Sequence, residues 1–184
     1  MPLISPTTAS CSINDKQVSR KLHHRVGDIR NVFIMELIII RGRQDDGKTT
    51  TATMLHNELV ARSNAVRLLK TNGDYLPVNN EVRDFRSVID IKEKRIAIIS
   101  AGDVDDVLNE EMDELIYEYR PDILVVCARA YDRDGSAYRM LKENYGNSMK
   151  EENEFWIEWT ENQNDTGDTK RVVVDKLVNR IINI

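Results

Sequence analysis

Cysteine is scarce in this chain. It has two, Cys11 and Cys127, too few and too far apart for a disulfide framework, and Cys127 falls in the apolar run ILVVCA, where a buried thiol is expected. A reducing, cytoplasmic setting fits that usage. Long apolar runs are also missing. The longest, from Val32 to Ile40, is broken by Glu36 and stops well short of the roughly 20 residues that span a bilayer, so no membrane segment is expected. The first residues lack the charge, apolar core and small-residue cleavage site of a signal peptide. Positive charge is not in excess: a formal net charge of -5 leaves no basic footprint for duplex nucleic acid, which is therefore not indicated as a partner. Prolines and glycines are few, and with 41% apolar and 31% charged residues chain-wide disorder is not expected.

What is present reads as one ordered domain behind a leader, and 184 residues can bury a core that needs no staples. Residues 1–32 carry Pro2, Pro6, several Ser and Thr and a basic patch between Lys16 and Arg30, with almost no apolar periodicity. They are expected to be poorly ordered. Met35, just before the first convincing strand, stands where an alternative natural start would fit. Residues 33–184 are expected to form the domain. Its first strand, over 33–41, is a β-rich apolar run of the kind buried on both faces of a parallel sheet. Further strands are expected over 65–70, 85–91, 95–100, 123–128 and 155–160, the third and fourth joined as a hairpin by Lys92, Glu93 and Lys94. Val104, Val107, Leu108, Met112, Leu115, Ile116 and Tyr119 follow helical spacing, and Pro121 enforces the stop. Helices are also expected over 136–145 and, through Val174, Leu177, Val178 and Ile181, at the C-terminal end. Strands alternating with helices imply a layered α/β sheet with one antiparallel excursion.

Between the first strand and its helix lie Gly42, Arg43, Gln44, Asp45, Asp46, Gly47, Lys48 and Thr49, followed by Thr50. They match G-x-x-x-x-G-K-[ST] at every constrained position, which a random chain of this length would do on the order of once in a hundred trials. Such a loop turns successive backbone N–H groups inward at an anion, and only residues without a Cβ turn tightly enough while approaching phosphate closely. The helix that follows aims its free amides and positive dipole end at the same point. Lys48 is expected to reach the β- and γ-phosphates and Thr49 to offer its hydroxyl to Mg²⁺.

GRQDDGKT resembles the Walker A motif of the P-loop NTPase superfamily. That resemblance implies a three-layer α/β P-loop fold, a mostly parallel sheet with one antiparallel hairpin strand, and a nucleoside triphosphate, ATP by default, bound with Mg²⁺. Asp45 and Asp46 depart from the pattern. A carboxylate about 4 Å from polyphosphate costs roughly 4 kcal/mol at an effective dielectric near 20, so both are expected to point outward, capping loop amides, meeting a partner or, more simply, facing solvent.

Phosphoryl transfer also wants a carboxylate at the end of a neighbouring strand. Asp103, in RIAIISAGD, is the candidate for metal binding and catalysis, although Ser100 stands directly after the apolar run, where the superfamily usually has its acid. The Asp-x-x-Gly and Asn-Lys-x-Asp of the GTPase branch are both missing, which disfavours a GTP switch. Asp74, in KTNGDY, stands where small P-loop kinases often bind an acceptor, and reads equally well as an ordinary turn. Arg129, Arg133 and Arg139 fall at the carboxyl edge of the sheet, where ligands of open α/β folds bind; Arg129 is the one assigned to catalysis, while each also reads as a surface residue. His23, His24 and His56 have no partners at metal spacing, so no zinc is expected. Glu110, Glu111, Asp113 and Glu114 read as a solvated helix face, and Trp156 and Trp159 as packing.

Three functions follow. The first is a small Mg-ATP-dependent kinase-like phosphotransferase with a small-molecule acceptor. The second is an NTPase module that drives or regulates a partner protein, with a homodimer left open. The third is a nucleotide binder without turnover.

Overall fold

The computed structural model describes residues 35–69, 84–102, 105–157 and 166–183. The expected leader, Asp74, Asp103 and Trp159 lie outside the described residues. In chain order the elements are β1 (Glu36–Gly42), α1 (Lys48–Val60), β2 (Ala65–Leu69), β3 (Arg86–Ile91), β4 (Lys94–Ile99), α2 (Asp105–Tyr119), β5 (Ile123–Arg129), α3 (Ala137–Tyr145), β6 (Met149–Trp156) and α4 (Thr166–Asn183). They build a six-stranded sheet in the order β2-β3-β4-β5-β1-β6. β4, β5, β1 and β6 run parallel, and β3 runs against both of its neighbours. The mostly parallel α/β sheet with one reversed hairpin strand is therefore present as the sequence led us to expect. Among the described residues no helix is long and apolar enough to cross a membrane.

Alternation along the strands explains the layering, because successive side chains of a strand leave opposite faces. Ile38 and Ile40 of β1, with Ile96, Ile98, Val125 and Cys127, join one core with Leu55 and Leu59 of α1 and Val174, Leu177 and Ile181 of α4. The intervening residues Leu37, Ile39, Leu124 and Val126 are equally buried, and α2 and α3 pack on one another to cover that second face. Both faces of β1 are thus dry, which is why its sequence is continuously apolar. α2 ends where Arg120 takes a left-handed φ of 48° ahead of Pro121, which cannot continue a helix. α3 starts one residue after Ser136, whose hydroxyl accepts the Arg139 amide at 3.3 Å as an N-cap.

Two expectations need correction. The last strand starts at Met149 and not at 155, and runs to Trp156, because the polar stretch MKEENE pairs along β1 at the sheet edge, where Lys150, Glu151 and Glu152 stay exposed; residues 158–160 lie outside the described residues. The acidic face of α2 is not wholly solvated: Asp113 is buried and accepts the Tyr145 hydroxyl at 2.7 Å, and Glu114 pairs with Arg86 at 2.7 Å.

His56 of α1 is buried against Phe85, with Nδ1 3.0 Å from the Ser87 hydroxyl, and burial lowers its pKa from 6.5 to about 4. A neutral ring is therefore favoured by the fold, while the unfolded chain takes up a proton below about pH 6.5. Stability should fall as pH drops from about 6.5 towards 4, by roughly 3 kcal/mol at the bottom of that window. Urea unfolding at pH 7 and pH 4.5 checks it. A His56→Gln variant should lose less stability between the two than the native chain does.

Candidate functional site

β1 delivers Gly42 to the carboxyl edge of the sheet, opposite Arg129 in the β1–β5 pairing. The chain then turns through the loop and enters α1 at Gly47, which has φ 89° and ψ 28°, a conformation that costs a side-chain-bearing residue strain. No side chain caps this helix start and no acid lies in its first turn, so the amides of Lys48, Thr49 and Thr50 face outward at the positive end of the helix dipole. Lys48 is buried to 8% exposure, and its ammonium donates to the Arg43 carbonyl at 2.6 Å, bridging the loop. Gly42 is needed for close approach: a Cβ there would meet the Ile157 carbonyl at 2.9 Å.

The two loop aspartates behave differently from each other. Asp46 is buried and takes the amide-capping alternative: its carboxylate accepts the Arg43 amide at 2.5 Å and closes the first half of the loop as a local turn. Asp45 is exposed at the crest with φ 64°, in keeping with the solvent-facing reading, and it stands at the rim of the cleft.

That cleft, of about 340 Å³, is lined by Gln44, Asp45, Gly47, Lys48, Thr49 and Thr50 from the loop and helix, and by Asp84, Ser100 and Gly102 from across the sheet. The Thr49 hydroxyl donates to the Asp84 carboxylate at 3.1 Å. Sequence reasoning missed Asp84. The signal was available in principle, since β3 runs backwards and its first residues therefore lie at the same edge as the last residues of the parallel strands. Ser100 could not take the acid's role: it is buried, its hydroxyl accepts the Phe85 amide at 2.7 Å, and its own amide donates to the Phe85 carbonyl at 3.0 Å. It locks the β3–β4 pair just beside Asp84. Nor is its strand a neighbour of β1, as the sequence reading assumed. β5 intervenes, which puts β4 roughly 10 Å away across the sheet.

Of the candidate arginines, Arg129 stands at the edge beside Gly42, and none of the three is among the cleft-lining residues. Arg139 is held by Asp134 at 3.0 Å and Glu143 at 3.1 Å, and Arg133 lies over the Tyr131 ring at 5.4 Å. A different arginine is built in nearby. Arg41, the penultimate residue of β1, sits between the rings of Tyr138 and Trp156, bonded to Glu154 at 2.8 Å and to the Ala130 carbonyl at 2.7 Å. It ties α3 and β6 to the base of the loop, and Trp156 packs there as expected while staying half exposed. Among the described residues no group of three metal-ligating side chains is found. Comparison with known proteins finds no matching family model, no matching curated protein and no matching solved structure.

Proposed function

We propose that this cleft binds a nucleoside triphosphate, ATP by default, together with Mg²⁺, as a P-loop site at which a small kinase-like protein transfers phosphate. The observation that carries the reading is convergence: the Lys48 ammonium, the uncapped first turn of α1 and the Thr49–Asp84 hydroxyl–carboxylate pair open on one cleft. The residues suit the ligand. Amides and ammonium complement a polyphosphate, and the hydroxyl and carboxylate are hard oxygen donors of the kind Mg²⁺ accepts. Mg²⁺, when bound, would neutralise charge developing on the transferring phosphoryl oxygens. Lys48 would hold the terminal phosphates, the amides of Gly47 to Thr50 would orient them, and Asp84 would take the second-acid role that Ser100 lacks. Asp46, turned onto the Arg43 amide, would keep the loop closed without opposing the phosphates.

A thermal-shift panel of ATP and GTP with and without Mg²⁺ tests this, because a ligand that binds only the native state raises apparent stability. Mg-ATP should raise the melting temperature of the native chain. In Asp84→Asn the extra increment due to Mg²⁺ should shrink, corresponding to a loss of about tenfold in Mg-ATP affinity, roughly 1.4 kcal/mol, while metal-free ATP binds as before. No shift with any nucleotide would defeat the reading.

A further inference from the structure

Lys170, near the start of α4, lies across the bare α-carbon of Gly47. A Cβ built on Gly47 would collide with the Cε and Nζ of Lys170. The lysine is half-buried, and among the described residues its ammonium takes part in no hydrogen bond and no ion pair. Lys176 of the same helix is likewise unpaired but exposed, whereas the two arginines of the helix are held by carboxylates. Arg171 is held by Glu58 at 2.7 Å and Asp175 at 3.3 Å, and Arg180 by Glu36 at 2.8 Å and Glu152 at 3.1 Å.

The location makes the missing carboxylate informative. Gly47 is the N-cap of α1, where the helix dipole is positive and the first-turn amides are free, and Lys48 adds a second ammonium one residue on. Of the loop's own carboxylates, Asp46 is turned onto the Arg43 amide and Asp45 is exposed at the crest, so a third positive group there is electrostatically unfavourable unless a further anion joins them. Lys170 is not part of the lining on the Asp84 side, so its ammonium reaches the loop from the α4 side.

We propose that Lys170 is a second phosphate-binding cation, contacting the ligand's phosphates nearer the nucleoside while Lys48 and the Thr49–Asp84 pair hold the terminal ones. This rests on the nucleotide reading above. Through Lys170 the start of α4 becomes part of the site, and the bare α-carbon of Gly47 serves its left-handed backbone while leaving the lysine end room beside it.

The experiment is calorimetric titration of the full chain with ATP and, separately, with inorganic tripolyphosphate, for the native protein, Lys170→Gln, Lys170→Arg and Lys48→Met. Lys170→Gln should weaken both ligands about tenfold without lowering the ligand-free melting temperature, and Lys170→Arg should recover affinity to within about threefold of native. If the native chain binds ATP, Lys48→Met loses it, and Lys170→Gln binds as tightly as native or tighter, this inference is overturned and the nucleotide reading stands. If the native chain binds neither ligand, the nucleotide reading itself falls.

Discussion

Gly102→Ala is expected to cost the fold about 4 kcal/mol or more, a large part of the 5–15 kcal/mol that holds a typical domain together. Gly102 is buried beside β5, and a Cβ added to it would overlap the carbonyl of Cys127. Side chains can rotate out of such a conflict, but here the obstacle is backbone in a strand hydrogen-bonded on both sides, by β4 and by β1. Relief would require parting the carboxyl end of β4 from β5, which also displaces Ser100 and the far wall of the cleft. Overpacking in a core costs 1–3 kcal/mol where side chains can shift, and more where they cannot. Urea unfolding of the two proteins measures the difference. Equal stability within about 1 kcal/mol would mean that the two backbone segments do not approach as described.

Lys48→Met should leave the fold nearly intact and lower affinity for Mg-ATP about a hundredfold, close to 3 kcal/mol. The methionine keeps the buried stem and removes the ammonium. In the free protein the ammonium makes one hydrogen bond, to the Arg43 carbonyl, so its loss should cost about 1 kcal/mol of stability. With ligand bound the same group would make charge-assisted bonds to phosphate oxygens, each worth roughly 1.5–3 kcal/mol. Calorimetric titration beside the unfolding curve separates the two effects. A variant that binds Mg-ATP as the native chain does would remove Lys48 from the site.

The fold was legible in the sequence wherever one physical demand dominated. β1 had to be dry on both faces, so Leu37 to Ile40 are all apolar, and the hairpin of β3 and β4 announced itself by the three polar residues at its turn. The edge strand was harder: in MKEENEFW only Asn153 is fully buried, held by the Glu36 side chain at 2.8 Å, so no alternation marked the start of β6. In the site, the glycines, Lys48 and Thr49 were readable because backbone geometry and phosphate chemistry restrict those positions to few residue types. Asp84 was not readable by motif, since its place depends on which strand is reversed and not on its distance from Gly47. Asp46 was readable only as a choice between capping an amide and facing solvent. Repulsion from a phosphate excludes one direction for a carboxylate, and the attraction of the Arg43 amide, which decides between the rest, is a three-residue contact inside the loop.

The central claim is that the amides of Gly47 to Thr50 cradle phosphate, and amide NMR of the nitrogen-labelled chain during titration with Mg-ATP tests it most directly. The account predicts that the largest shifts fall on Gly47, Lys48, Thr49 and Thr50 and saturate with a single affinity. Resonances of these four residues that stay fixed through millimolar Mg-ATP, while the rest of the spectrum shows a folded protein, would contradict it.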